Sequence, residues 1–239
     1  MIRRPPRSTL SSSSAASDVY KRQGMGFACY LAGLTLGSVT KTTVLYYLTP
    51  AWATLFGIFL LGEQQTFGRW ASILCGLLGC VLVIELDVKS LRFDYYDIFG
   101  FASGLIWSLG SVFVRKFNKI DIASVMLPIY FFGAFITLIF IYFFKFEAPE
   151  TLVILKTALP IFLVSILIFF PTFLILLSIN QYLSPGLIGI LMLSELIVAA
   201  LSANIILGEP MSMWQWIGAI LIVIAGLTVA LLESSKEGT

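Results

Sequence analysis

The carboxylates are the residues of this chain most able to do chemistry, and two of them recur in the same company. "LLGE" ends at Glu63 and "ILGE" ends at Glu209, 146 positions later, and a tryptophan follows each after seven residues, Trp70 and Trp216. A third, Glu195, lies alone within a long apolar stretch. Histidine is absent, which removes the commonest general base and the commonest transition-metal ligand. No aspartate falls inside an apolar run, and no glycine loop of the P-loop type is present, so an intramembrane enzyme is the least supported function. No cofactor and no metal is expected.

The elements that position these groups follow from composition. With 59% hydrophobic and 12% charged residues and a mean hydropathy of +0.97, the chain belongs in a lipid bilayer. Charges are missing from Thr42 to Gly62, Ile98 to Val114, Ile122 to Phe144, Thr157 to Ser194 and Pro210 to Leu232. A helix of roughly 20 apolar residues crosses the hydrocarbon core. The run from Thr157 to Ser194 is too long for one crossing and splits at Asn180, Gln181, Ser184, Pro185 and Gly186. Adding Gly24 to Val39 and Trp70 to Ile84 predicts eight spans, all helical, because lipid leaves no partner for an open sheet edge.

Residues 1–23, "MIRRPPRSTLSSSSAASDVYKRQ", differ in kind. They are basic and serine-rich, without helical apolar periodicity. They resemble translated sequencing-adapter read-through and are expected to be non-native. Five of the fifteen basic residues and one of the thirteen acids lie there, so residues 24–239 carry ten basic and twelve acidic groups and the formal charge falls from +2 to −2. No binding to nucleic acid is expected of such a remainder.

Aligning the two LGE stretches places "FLLGEQQTFGRWASILCGLLGCVLVIE" over "IILGEPMSMWQWIGAILIVIAGLTVAL". The second LGE-bearing helix is the fifth span after the first, and five is odd, so the copies run in opposite directions. Inverted repeats of this kind mark secondary transporters. The unit from "YYDIFGFASGLIWSLGSVFVRKF" through "LPIFLVSILIFFPTFLILLSINQYLSP" to "SELIVAALSANIILGEPMSMWQWIGAILIVIAGL" resembles a five-helix EamA repeat of the drug/metabolite transporter superfamily. "YYLTPAWATLFGIFLLGE" is similar to the fourth helix of a second, partial repeat.

The resemblance implies an all-α, polytopic fold of ten helices in two inverted halves. About eight remain here, divided into a partial first repeat (24–86), a complete second repeat (95–233) and a tail (234–239). It implies a small-molecule substrate, a bacterial inner membrane, a cytoplasmic C-terminus and room for a homodimer. The loop charges, five Lys or Arg on each side, do not themselves fix orientation. The cluster Arg115, Lys116 and Lys119 at a helix end favours that side as cytoplasmic.

Several polar residues then compete for function. Gly62 with Glu63, and Gly208 with Glu209, read as helix-ending turns whose carboxylate starts the next helix, with Pro210 suited to its first position. Gating glutamates are the alternative. Glu195 is ten residues from one end of the span Pro185 to Leu207 and twelve from the other, hence near the bilayer midplane. A carboxylate there costs roughly 2.5 kcal/mol or more and is expected to face a cavity on a substrate or ion path. The alternative is a protonated Glu195 that merely hydrogen-bonds a neighbouring helix.

The repeat offset maps Glu195 onto Thr49, beside Pro50, whose missing N–H frees a carbonyl and kinks the helix. Tyr46, Thr49 and Ala53 share a face while Tyr47 points elsewhere. Gly100, Gly104, Trp107 and Ser111 form a stripe, where small residues favour close packing and Trp107 offers a ring to an organic or cationic substrate. No Lys or Arg is expected inside a span, which argues against phosphate-bearing substrates. The resulting expectation is an exporter of amine-bearing or apolar metabolites, with Glu195, Thr49, Tyr46 and Trp107 as substrate-binding residues, and proton exchange as a coupling. A protein-binding scaffold, or an inactive transporter fragment, is the alternative.

Overall fold

The computed structural model describes residues 7–64, 66–86, 92, 94–146, 150–208 and 210–237. Among these, every regular element is a helix. In order they are α1 (Arg7–Leu36), α2 (Val39–Tyr46), α3 (Thr49–Phe56) continued by the π-helical Gly57–Leu61, α4 (Phe67–Val83), α5 (Asp97–Lys116) and α6 (Ile122–Phe144). Then come α7 (Thr151–Val164), the π-helical Ser165–Phe169, α8 (Phe170–Asn180), α9 (Pro185–Met192), α10 (Ser194–Ser202) with the π-helical Ala203–Leu207, and α11 (Met213–Glu237).

Six helical stretches are long and apolar enough to cross a membrane: Val39–Leu61, Asp97–Lys116, Ile122–Phe144, Thr151–Asn180, Pro185–Ile206 and Met213–Leu232. The shorter apolar Phe67–Val83 and the polar-ended α1 complete the set. The chain is an integral membrane protein.

Helix α1 extends well before Gly24. Ala15, Val19 and Gln23 recur every four residues and are buried, Val19 and Gln23 fully, so part of a stretch read as lacking helical apolar periodicity forms a packed helix. The fit is imperfect: neither polar atom of the Gln23 side-chain amide has a hydrogen-bond partner.

The 146-residue offset orders the architecture. The π-helical Gly57–Leu61 maps onto Ala203–Leu207, and the left-handed glycines that end them, Gly62 (φ 70°) and Gly208 (φ 72°), coincide. Ser38 caps α2 by accepting from the Lys41 N–H, and its counterpart Ser184 caps α9 by accepting from the Leu187 N–H. Helices α4 and α11, also counterparts, cross at two glycines. A Cβ on Gly79 would lie 2.6 Å from the Gly218 carbonyl oxygen, and one on Gly218 equally 2.6 Å from that of Gly79. Small residues that bring backbones together in this way drive helix association in lipid, where the hydrophobic effect cannot.

At this offset residues 1–93 pair with 147–239, and helices α5 and α6 lie between the two stretches. They pack on α1, and α5 also presses Gly100 and Gly104 onto α2, where an added Cβ would sit 2.8 Å from Thr42 Cα and 2.7 Å from the Tyr46 carbonyl oxygen. The small-residue stripe is therefore a packing surface. Two side-chain links pin α5 further: the buried Ser111 and Asn180 exchange hydrogen bonds at 2.7–3.0 Å, and the half-buried Arg115 donates from Nη1 to the Gln181 carbonyl at 2.6 Å.

Candidate functional site

The site grows from a break in one helix. Pro50 has no N–H to give the Tyr46 carbonyl four residues back, so the ladder fails and the chain turns at Tyr47 and Leu48 between α2 and α3. The Thr49 hydroxyl takes the vacated place by donating to that carbonyl. Ser108 on α5 lies against the break, its hydroxyl 2.6 Å from the Gly104 carbonyl on its own helix and 3.1 Å from the Thr49 carbonyl, sharing one proton between the two. In the second unit the counterpart break lies at Leu193, between α9 and α10, and Glu195 follows it in the first turn of α10.

The two breaks face each other. Tyr47 Oη donates to Glu195 Oε2 at 3.1 Å, a bond between residues 148 positions apart. Tyr47 is buried, whereas Glu195 is exposed and forms no ion pair among the described residues. Tyr30 on α1 joins them, its ring centroid 4.6 Å from that of Tyr46. Behind this group Trp107 is buried, 5.2 Å from Phe27, 5.6 Å from Phe173 and 6.4 Å from Tyr46 between ring centroids. An acceptor carboxylate at the mouth of an aromatic wall can hold a positively charged or hydrogen-bond-donating group.

The sequence-predicted residues are thus partly assembled. Tyr46 reaches Glu195 only through Tyr47, whose ring centroid is 5.2 Å from its own, Trp107 packs one layer deeper, and the Thr49 hydroxyl donates to the Tyr46 carbonyl. Tyr47, set apart by the straight-helix reading, is the residue that meets Glu195. A rotation of 100° per residue does not hold across a broken helix, so its face is not the one periodicity assigns. Tyr30 carried no sequence signal beyond its type. A groove of about 270 Å³ lined by Ala28, Leu31, Thr35, Thr137, Phe140 and Ile141 lies between α1 and α6 and contains none of these residues.

The turns also differ in detail from expectation. Glu63 does not enter the first turn of α4. Its N–H donates to the Gly57 carbonyl at 3.2 Å and its carboxylate folds back over Gly57, because the wide π-helical end leaves that carbonyl to be satisfied by the turn. Glu209 lies outside the described residues. Pro210 precedes α11 rather than opening it: the Ser212 hydroxyl accepts from the Gln215 N–H while Gln215 Oε1 accepts from the Ser212 N–H, a capping box that starts the helix at Met213. Arg69 is buried in the first turn of α4 and donates to Ser184 Oγ, so one guanidinium does enter the protein interior, at the end of a helix.

The profile of the EamA-like transporter family matches residues 23–85 and 94–231. The chain belongs to this family. Over 128 residues it is 27% identical to the uncharacterized transporter YoaV of Bacillus subtilis (strain 168), covering 51% of this chain and 43% of that protein. Over 112 residues it is 23% identical to the S-adenosylmethionine uptake transporter of Rickettsia prowazekii (strain Madrid E), covering 47% of this chain and 36% of that one. Each match thus spans less than half the length of the relative. A crystal structure 23% identical in sequence superposes with a TM-score of 0.73 over 90% of this chain and 75% of its own, and shows the same fold.

Proposed function

We propose that this EamA-family protein exports small organic metabolites, amine-bearing or largely apolar, by alternating access of its two inverted units around Glu195. The observation that carries the reading is the Tyr47–Glu195 hydrogen bond, which joins the broken helix of one unit to that of the other. Transporters of inverted-repeat design bind substrate between their units, at discontinuous helices, and then tilt one unit against the other. An ammonium group would complete the carboxylate, and the tyrosines would supply acceptors and ring faces to its organic part. Exchange for a proton at Glu195 would couple the cycle.

Thr49 contributes by shaping the break, and Trp107 by backing Tyr46. A second reading, uptake of a sulfonium compound, is favoured by the name of the Rickettsia relatives, since S-adenosylmethionine bears both a sulfonium and an amine. Either direction needs the same carboxylate. The inner membrane with a cytoplasmic C-terminus is the setting that the cluster at Arg115 to Lys119 supports.

Flux into and out of proteoliposomes tests the function. Saturable accumulation of an amine or sulfonium probe is expected in vesicles holding the full-length protein. Vesicles no more permeable than protein-free ones, across both probe types, would favour a membrane scaffold instead.

A further inference from the structure

We infer that Lys41 and Asp97 form a latch that closes one end of the Glu195–Tyr47 site, an inference that rests on the transporter reading. Lys41 lies in the first turn of α2, in the first unit, and Asp97 opens α5, in the second. Lys41 Nζ donates to Asp97 Oδ2 at 2.8 Å and to the Arg92 carbonyl at 2.8 Å, and Asp97 Oδ2 also accepts from the Asp94 N–H at 2.8 Å. The side chains are 19% and 4% exposed, so this is a largely dry ion pair. Lys41 stands six residues before Tyr47 on the same chain segment, at the end where α2, α5 and α11 begin.

Three features suit a latch that opens and closes. First, the pair crosses the boundary between units, so tilting one unit against the other to admit solvent at this end must part it. Second, Asp97 Oδ1 is buried without a hydrogen-bond partner, so the closed pair leaves one acceptor uncompensated, and water reaching it on opening would satisfy that oxygen. Third, the counterpart of Lys41 in the second unit is Leu187, so the pair has no symmetric copy. The opposite end is instead tied by Arg69 to Ser184, from α4 to the start of α9.

The test is sided labelling of a cysteine at position 45. Leu45 lines a groove with Asp94, Asp97, Ile98 and Phe101 just inside the pair. In a protein whose Cys29, Cys75 and Cys80 are replaced by alanine, Leu45→Cys is exposed to a membrane-impermeant maleimide from either side of a vesicle. Lys41→Gln and Asp97→Asn are each expected to raise the labelling rate about fivefold from the Lys41 end only, the population shift expected from losing one partly buried pair. Lys41→Arg, and the exchange Lys41→Asp with Asp97→Lys, are expected to label at the parental rate. Parental labelling in both neutralised variants, or an exchange variant that labels as fast as they do, would overturn the latch. Labelling needs no substrate, so it is separable from flux. Unchanged labelling with intact flux overturns the latch alone, and the expected labelling without flux supports it while overturning the transport reading.

Discussion

Replacing Gly79 with alanine tests the contact on which the two units are built. The added methyl would lie 2.6 Å from the Gly218 oxygen, 2.9 Å from Ile222 Cγ1 and 3.1 Å from the Ile222 nitrogen. Two of these are backbone atoms, which cannot swing aside as a side chain would. Close-packed interiors hold such atoms no nearer than about 3.3 Å, so α4 and α11 must separate by about 0.7 Å along a shared face. Overpacking of this kind costs roughly 1–3 kcal/mol, here toward the upper end, and the gain in helix propensity returns about 1 kcal/mol. The net expectation is a loss of about 1–2 kcal/mol. Gly226→Ala on the facing helix α11 is the control, because nothing lies within 4 Å of its added Cβ, and it should gain up to about 1 kcal/mol. Reversible denaturation in detergent micelles gives both values. Equal stability of the two variants would refute the claim that α4 and α11 meet backbone to backbone.

Two further perturbations address the turn and the site. Gly62→Ala and Gly208→Ala should each lose about 1–2 kcal/mol in the same assay, because both positions are left-handed, and Asn should be milder than Ala; alanine as stable as glycine at both would contradict the turn geometry. Tyr47→Phe keeps the ring and removes the donor to Glu195, and since the carboxylate is exposed, a double-mutant cycle with Glu195→Ala should give a coupling of about 0.5–1.5 kcal/mol, with zero coupling denying the bond.

The fold was legible because lipid simplifies the code: long uncharged runs had to be helices, and the LGE register at 146 positions carried through to the glycine turns, the serine caps and the π-helical ends. Start points were less legible. Periodicity could not foresee that Ala15, Val19 and Gln23 would extend α1, or that Ser212 with Gln215 would outcompete Pro210 for the start of α11. At the site, Glu195 stood out through the cost of its charge in an apolar run, and Pro50 through its missing donor. Tyr47 and Tyr30 did not stand out. A broken helix resets which way its side chains point, and a tyrosine in a protein with nine of them carries no signal until its hydroxyl is placed.

The central claim is that transport runs through Glu195. Its most direct test is the flux of an amine or sulfonium probe, measured as a function of pH in proteoliposomes, for the full-length protein and its Glu195→Gln variant. The neutral side chain retains the shape and an acceptor for Tyr47 but cannot carry charge or exchange a proton. Loss of coupled transport, or a pH dependence that disappears, is the predicted result. Unchanged flux with an unchanged pH profile would contradict the account and return Glu195 to a hydrogen-bonding role between helices.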